Sequence, residues 1–259
     1  MNLFTINGIG RVLILLIICF FLTHNNTALS EEPLKKLSSN APEENKTDFP
    51  FISKGKFRLD LTFMGGGGFN NIDVLETTEG DMLTISPGGG VGGKLNLGYC
   101  ISSSLNVNLE LGTQKAILSE SCKNADACFK RSHILGTLRY KVPISPKGTI
   151  NIGSGGGLYM GGKFDFEFQE IVNNLHAIYE YEDAFGFHVL AEYEQFMPNF
   201  IFLNANWSWI IGLKYYSVSY ELSSIDVNGI SIPTYYAHDE MSKVDGSGVD
   251  ILFSIVAYL

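Results

Sequence analysis

Hydrophobic and polar residues alternate along most of the chain after residue 56, and the last segment shows this most clearly. From Val249 to Leu259 every odd-numbered residue is apolar, whereas the even-numbered positions include Asp250 and Ser254. Successive side chains of a β-strand point to opposite faces, so residues 246–259 are predicted to form a strand with one apolar face. A chain that ends on such a strand favours a sheet that closes by pairing its last strand with its first.

Seven further segments show the same alternation. They span residues 57–63, 91–99, 105–111, 134–142, 150–160, 185–194 and 203–215. Segments of about ten residues suit tilted strands that cross a membrane. The connections alternate between short turns, at residues 100–104, 143–148 and 195–201, and long loops, at residues 69–87, 115–131, 163–184 and 218–246. The pattern predicts an all-β fold over residues 57–259, an eight-stranded antiparallel up-and-down transmembrane β-barrel with its turns in the periplasm and its loops outside.

The segment before the barrel divides into two parts. Residues 1–30 contain Arg11, an apolar run over residues 12–22 and a polar end at Ser30. The run is shorter than the roughly 20 residues of a membrane helix and indicates a signal peptide that is cleaved near Ser30. Residues 31–56 contain three prolines and no apolar periodicity, which predicts a flexible periplasmic leader.

Composition and charge support export to a membrane. Apolar residues make up 45% of the chain and charged residues only 17%, compared with about 25% in soluble domains. The net charge is −9, and the four long loops hold seventeen acidic and six basic residues. An acidic, exported chain of this kind is a poor candidate for nucleic-acid binding.

The polar faces of the strands carry a balanced set of charges. They predict a network inside the barrel formed by Arg58, Asp60, Lys94, Glu110, Arg139, Lys141, His188, Glu192, Glu194, Lys214 and Asp250. An eight-stranded barrel has an interior that side chains fill, and buried charges are costly unless they are paired. The polar faces also carry Gly92, Gly98, Gly153, Gly155 and Gly157. These glycines either make room for the long charged side chains or mark bulges.

Three motifs bear on possible chemistry. Residues 88–93 match G-x-G-x-x-G, but the residues that follow alternate with period two and predict no helix, so we expect no dinucleotide site and no cofactor. Cys122 and Cys128 lie in one loop of an exported chain and are candidates for a disulfide, while Cys100 is left over as a free thiol or an intermolecular contact. His188 shares a face with two glutamates, but no serine nucleophile motif accompanies it, and no metal site is predicted.

The third long loop continues to alternate beyond the predicted membrane region. Aromatic residues at positions 164, 166 and 168 are interleaved with polar ones, and Asn173 and Asn174 would form a turn. We expect a projecting hairpin that binds a basic partner or divalent cations, or that serves only as a solvated rim.

The eight strands, the alternating loop lengths and the terminal strand together resemble the outer-membrane β-barrel family of OmpA, OmpX and OmpW type from Gram-negative bacteria. The chain departs from that family by ending on Leu259 rather than on an aromatic residue. The resemblance implies a monomer in contact with outer-membrane lipid, lipopolysaccharide and the assembly machinery. It further implies a non-enzymatic structural, adhesin-like or narrow-channel role. A lipid A-modifying barrel enzyme, with His188 as its base, and a secreted lipocalin-like carrier are the alternatives.

Overall fold

A computed structural model describes residues 55–76, 82–118, 125–168, 175–202 and 205–259. The predicted signal peptide, nearly all of the predicted leader, Cys122 and the predicted turn at Asn173 and Asn174 lie outside these residues. No helix among the described residues is long and apolar enough to cross a membrane.

The described residues form fourteen strands, a short helix and one turn of 3-10 helix. The strands are β1 (Phe57–Gly68), β2 (Ile72–Glu76), β3 (Met82–Ile85), β4 (Gly90–Cys100), β5 (Leu105–Ile117), β6 (Ala125–Ser145), β7 (Gly148–Phe168), β8 (Leu175–Tyr181), β9 (Ala184–Phe202), β10 (Ala205–Ser217), β11 (Ser219–Val227), β12 (Ile230–Ile232), β13 (Lys243–Asp245) and β14 (Gly248–Tyr258). The 3-10 turn (Thr234–Tyr236) and helix α1 (Asp239–Ser242) lie between β12 and β13.

Eight of these strands close into an antiparallel barrel. Their order around the wall is β1, β4, β5, β6, β7, β9, β10 and β14, and β14 pairs again with β1. The closing ladder runs from Arg58 opposite Tyr258 to Gly68 opposite Gly248. The predicted eight-stranded barrel and the pairing of its last strand with its first are therefore confirmed.

Residues 101–104 and 146–147 form short turns at one end of the barrel, called here the turn end. The Ser102 hydroxyl accepts hydrogen bonds from the backbone N–H groups of Ser104 and Leu105, at 3.2 and 3.0 Å. A serine that bonds its own backbone in this way stabilises a tight reversal between β4 and β5. The other end of the barrel is called the loop end.

Several strands are longer than the alternation predicted. Strand β6 begins inside the predicted loop 115–131 and β7 continues to residue 168, because these two segments pair with each other from Ala125 opposite Phe168. The predicted turn at residues 195–201 is wrong, since β9 continues to Phe202 and its ladder with β10 skips residues 198–200. Pro198 lies in that skipped segment, where a missing N–H donor does not interrupt the ladder.

The apolar faces of the barrel strands point outward. Exposed side chains along the wall include Leu61, Leu97, Leu109, Leu213 and Ile251. A lipocalin-like carrier would instead turn its apolar faces inward, so the described wall excludes that alternative.

Aromatic pairs lie at both ends of this apolar belt. Near the turn end the ring centroids of Tyr193 and Trp209 are 5.7 Å apart, and near the loop end those of Phe187 and Tyr215 are 6.4 Å apart. Aromatic girdles at both ends are typical of barrels in lipid.

The sheet of the wall continues beyond the barrel at the loop end. This continuation consists of residues 125–130 of β6 and 163–168 of β7 together with β8, β11, β12 and β13, and is called here the upper sheet. One of its faces packs an aromatic cluster of Phe129, Phe164, Phe166, Tyr181 and Tyr220. The loop residues are thus ordered by a hydrophobic core of their own, and the predicted hairpin of the third loop is its β7–β8 part.

Candidate functional site

The candidate site is the interior of the barrel, where all eleven predicted network residues are buried. None of them is more than 3% exposed. They lie at inward positions of β1, β4, β5, β6, β9, β10 and β14, since each strand places alternate side chains in the lumen. Their contacts form four levels from the turn end to the loop end.

The first level is centred on the Glu194 carboxylate. It accepts hydrogen bonds from Ser208 at 2.6 Å, Tyr258 at 2.5 Å and Asn151 at 3.0 Å, and it pairs with the Lys141 ammonium at 3.0 Å. Lys141 also donates to the Tyr258 hydroxyl on the far side of the barrel. The last strand is therefore tied to the network through Tyr258.

The second level joins three strands. The Arg58 Nε donates to Asp60 at 2.7 Å, and Arg139 contacts Asp60 at 3.3 Å and Glu192 at 3.0 Å. Because β6 and β1 are three strands apart around the wall, the Arg139–Asp60 pair spans the lumen.

The third level is centred on Glu110. Its carboxylate pairs with Lys94 at 2.7 Å and with Lys214, and the Nε2 atom of His133 lies 2.9 Å from it. Glu110 on β5 and Lys214 on β10 belong to directly opposite parts of the wall. His133 is not among the predicted residues, although extending the alternation of β6 by one position towards the loop end would have found it.

The fourth level closes the mouth of the barrel through Arg131. Its guanidinium donates to the Gly246 carbonyl at 2.7 Å, to Gln114 at 2.6 Å and to the Tyr216 hydroxyl at 2.6 Å. Gln114 in turn donates to Asp250 at 2.8 Å. The prediction that Arg131 belongs to a loop is wrong, because the inward face of β6 continues past residue 133 to this arginine.

Residues 86–89 fold over the mouth and are held by the same group of side chains. The Tyr216 hydroxyl donates to the Gly88 carbonyl. A Cβ atom at Gly88 would lie 1.9 Å from the Ser247 carbonyl oxygen, so only glycine permits this approach. In the G-x-G-x-x-G match, Gly90 begins a strand rather than a helix, and the glycines here allow close backbone packing.

The predicted glycines have two environments. A Cβ at Gly98 would lie 2.3 Å from the Asn108 side chain, so this position makes room for a polar side chain. A Cβ at Gly153 would lie 3.0 Å from Arg139 Cγ and equally close to the Leu138 backbone oxygen, so this position gives room to both. At Gly92, Gly155 and Gly157 the nearest atom would instead be a backbone oxygen of the neighbouring strand.

His188 lies inside the lumen, 1% exposed, with its Nε2 atom 2.8 Å from the Thr137 hydroxyl. The candidate base of the lipid-modifying alternative is therefore buried in the described part of the barrel, next to Thr137.

The structure describes Cys100 and Cys128 but not Cys122. Cys100 is fully buried at the turn end against Phe196, Ile210 and Val256, which leaves no surface for an intermolecular bond. Cys128 is buried on β6. Its proposed disulfide partner Cys122 lies outside the described residues, so the disulfide stays a prediction.

One group of side chains in the upper sheet has the composition of a cation site. Single ligand atoms of Asp165, Glu167 and His176 all lie within 4.8 Å of one another. These three residues belong to the hairpin that the sequence predicts to bind cations.

Comparisons with known proteins bear on the fold. No protein-family model and no curated protein matches the sequence. Among solved structures, the chain is similar to the outer membrane protein OprG from Pseudomonas aeruginosa, with 11% identity, a TM-score of 0.45, and coverage of 81% of this chain and 98% of that one. It is also similar to the outer membrane protein AlkL, with 12% identity, a TM-score of 0.42, and coverage of 86% and 97%. The barrel fold itself is established by the strand pairing of this chain, which runs from β1 around the wall and back through β14 to β1.

Proposed function

We propose that this chain, whose fold is that of the small outer-membrane barrels, is a non-enzymatic outer-membrane protein that acts through its upper sheet at the cell surface. The observation that carries the proposal is the contrast between a lumen bridged at four levels and a loop region built as an ordered sheet. A barrel filled by paired side chains anchors the chain, and the sheet beyond it is free to meet partners.

The apolar wall supports the proposed placement in the membrane. The apolar belt contacts lipid and lipopolysaccharide, and the turn end faces the periplasm, where short turns lie in such barrels. We further propose that the signal peptide directs export, that the assembly machinery inserts the barrel and that the chain acts as a monomer.

Surface labelling tests this orientation. Tyr235 lies in the 3-10 turn between β12 and β13 and is 76% exposed. Lys147 is exposed in the turn between β6 and β7, at the turn end of the barrel. We expect Tyr235→Cys to react with a membrane-impermeant maleimide on intact cells, and Lys147→Cys to react only after the outer membrane is permeabilised. The parent chain measures background labelling of the native cysteines. Labelling of Lys147→Cys on intact cells would contradict the placement.

A narrow channel is the second candidate function, and it is favoured by the way the mouth is closed. Arg131 holds the mouth through hydrogen bonds to neutral groups and to backbone carbonyls. Such bonds are weaker than those between charged partners and are easier to open.

Conductance separates the two functions. In planar bilayers we expect the parent protein to show no steady current, because ion pairs join opposite walls of the lumen. A steady current through the parent protein would favour the channel instead. If the mouth is a gate, the Arg131→Ala variant should show more frequent channel openings than the Lys130→Ala variant. Lys130→Ala is the control because it removes the same charge from the adjacent, exposed position.

A further inference from the structure

We propose that Asp165, Glu167 and His176 form a binding site for one transition-metal cation of the Zn²⁺ class on the outer face of the upper sheet. This inference rests on the proposed function in one respect, namely that the upper sheet is exposed to the medium outside the cell. The inference specifies a transition-metal cation as the ligand of the β7–β8 hairpin.

The three residues converge because of the register of β7 and β8. Glu167 lies directly opposite His176, and Asp165 shares the face of Glu167 because the two are separated by one residue. The His176 Nε2 atom is already 2.8 Å from an Asp165 carboxylate oxygen. Zinc ligands in a tetrahedron are separated by about 3.4 Å, so a rotation of the exposed Glu167 side chain completes the set.

The backbone of His176 is held in place by hydrogen bonds at both its N–H group and its carbonyl. The His176 N–H donates to the Asn228 side chain at 2.8 Å, and its carbonyl accepts from the Asn228 N–H at 2.9 Å. Asn228 and Gly229 have positive φ angles of 51° and 80°, which forms a tight hairpin between β11 and β12.

Buried aromatic rings pack on the face of β7 opposite the proposed ligands. Phe164 and Phe166 alternate with the proposed ligands and are buried on the opposite face, where Phe166 packs edge to face against Tyr179 with ring centroids 5.6 Å apart. Ligands on rigid strands lose little entropy when a metal binds, which favours binding.

A positive charge already lies beside Asp165 in the structure. Lys130 lies 3.6 Å from Asp165 and is half exposed, so its flexible side chain can leave when a divalent ion enters.

The mixture of ligand atoms selects the class of metal. An imidazole nitrogen with two carboxylates suits Zn²⁺ and related transition metals, whereas Ca²⁺ and Mg²⁺ prefer oxygen ligands alone. Three protein ligands leave a position open for water or for a group from a partner.

Calorimetric titration with ZnCl₂ tests the site in the full chain, purified in detergent without a histidine tag and with its thiols alkylated. We expect one Zn²⁺ per chain, and at least tenfold weaker binding in His176→Gln and in Asp165→Asn. Glu180→Gln is the matched control because Glu180 lies on the same face of β8, and its affinity should stay within twofold of the parent. Heat-modifiable gel mobility verifies that each variant is folded.

Three results would overturn the assignment. They are the absence of Zn²⁺ binding, equal binding by the parent and His176→Gln, and displacement of Zn²⁺ by an equal concentration of Ca²⁺, which would indicate a general acidic surface. The surface labelling of Tyr235→Cys is independent of this titration. A failure of the metal site is therefore distinguishable from a failure of the proposed cell-surface role.

Discussion

Replacing Glu110 with Gln is expected to lower the free energy of unfolding by about 3–5 kcal/mol, because it leaves buried cations without their carboxylate. Lys94 and Lys214 both contact Glu110 and are at most 3% exposed. The amide of glutamine has nearly the same shape but carries no charge. Urea unfolding of the barrel in detergent, followed by gel mobility without heating, measures the change.

Glu180→Gln is the control for the same substitution at an exposed ion pair. Glu180 lies 3.8 Å from Lys163 and its side chain is 57% exposed. Exposed pairs contribute about 0–1 kcal/mol, so the control should unfold close to the parent. If the two variants lost equal stability, the third level of the lumen would not depend on its charges.

Replacing Gly155 with Ala is expected to reduce the folded fraction of the barrel sharply. An added Cβ would lie 1.9 Å from the backbone oxygen of Gly136 on the neighbouring strand. The closed ladder cannot shift there without losing hydrogen bonds, so the cost should reach or exceed the upper end of about 1–3 kcal/mol for overpacking. The folded fraction after refolding into detergent, read from heat-modifiable mobility, measures it.

Gly136→Ala is the matched control on the facing strand. The nearest atom to a Cβ at Gly136 is a backbone oxygen at 3.8 Å, which is an ordinary contact. We expect this variant to fold like the parent. Equal folding of both variants would show that the wall between β6 and β7 has more space than the structure describes.

The extent of the candidate site depends on where each strand ends, and the sequence predicted this least well. Arg131 and His133 continue the inward face of β6, but the apolar partners that mark the outward face stop near Ile134. Beyond that point Phe129 is buried in the aromatic cluster, and the simple alternation of apolar and polar residues ends. Lys130 on the outward face is exposed, so the apolar side of the strand changes from the outward to the inward face, and a pattern with one apolar outward face does not identify this part of the strand.

The hairpin of the third loop was likewise predicted only in part. Its alternation predicted the strands around Phe164 and Phe166, and the structure contains them as β7 and β8. The packing of these rings against Phe129 and Tyr220 joins strands that are distant in sequence. Such contacts depend on how the loops fold together, which local periodicity does not encode.

The sequence by itself determined the closed barrel, because period-two alternation defines each strand and the alternation of short and long connections defines their order. It also identified eleven of the charged or titratable residues that lie inside, but not Arg131 and His133. Only the tertiary structure decided which carboxylate meets which cation. The register and tilt of the strands set the height of each side chain in the lumen. Pairs such as Glu110 and Lys214 therefore meet across the barrel, although about a hundred residues separate them.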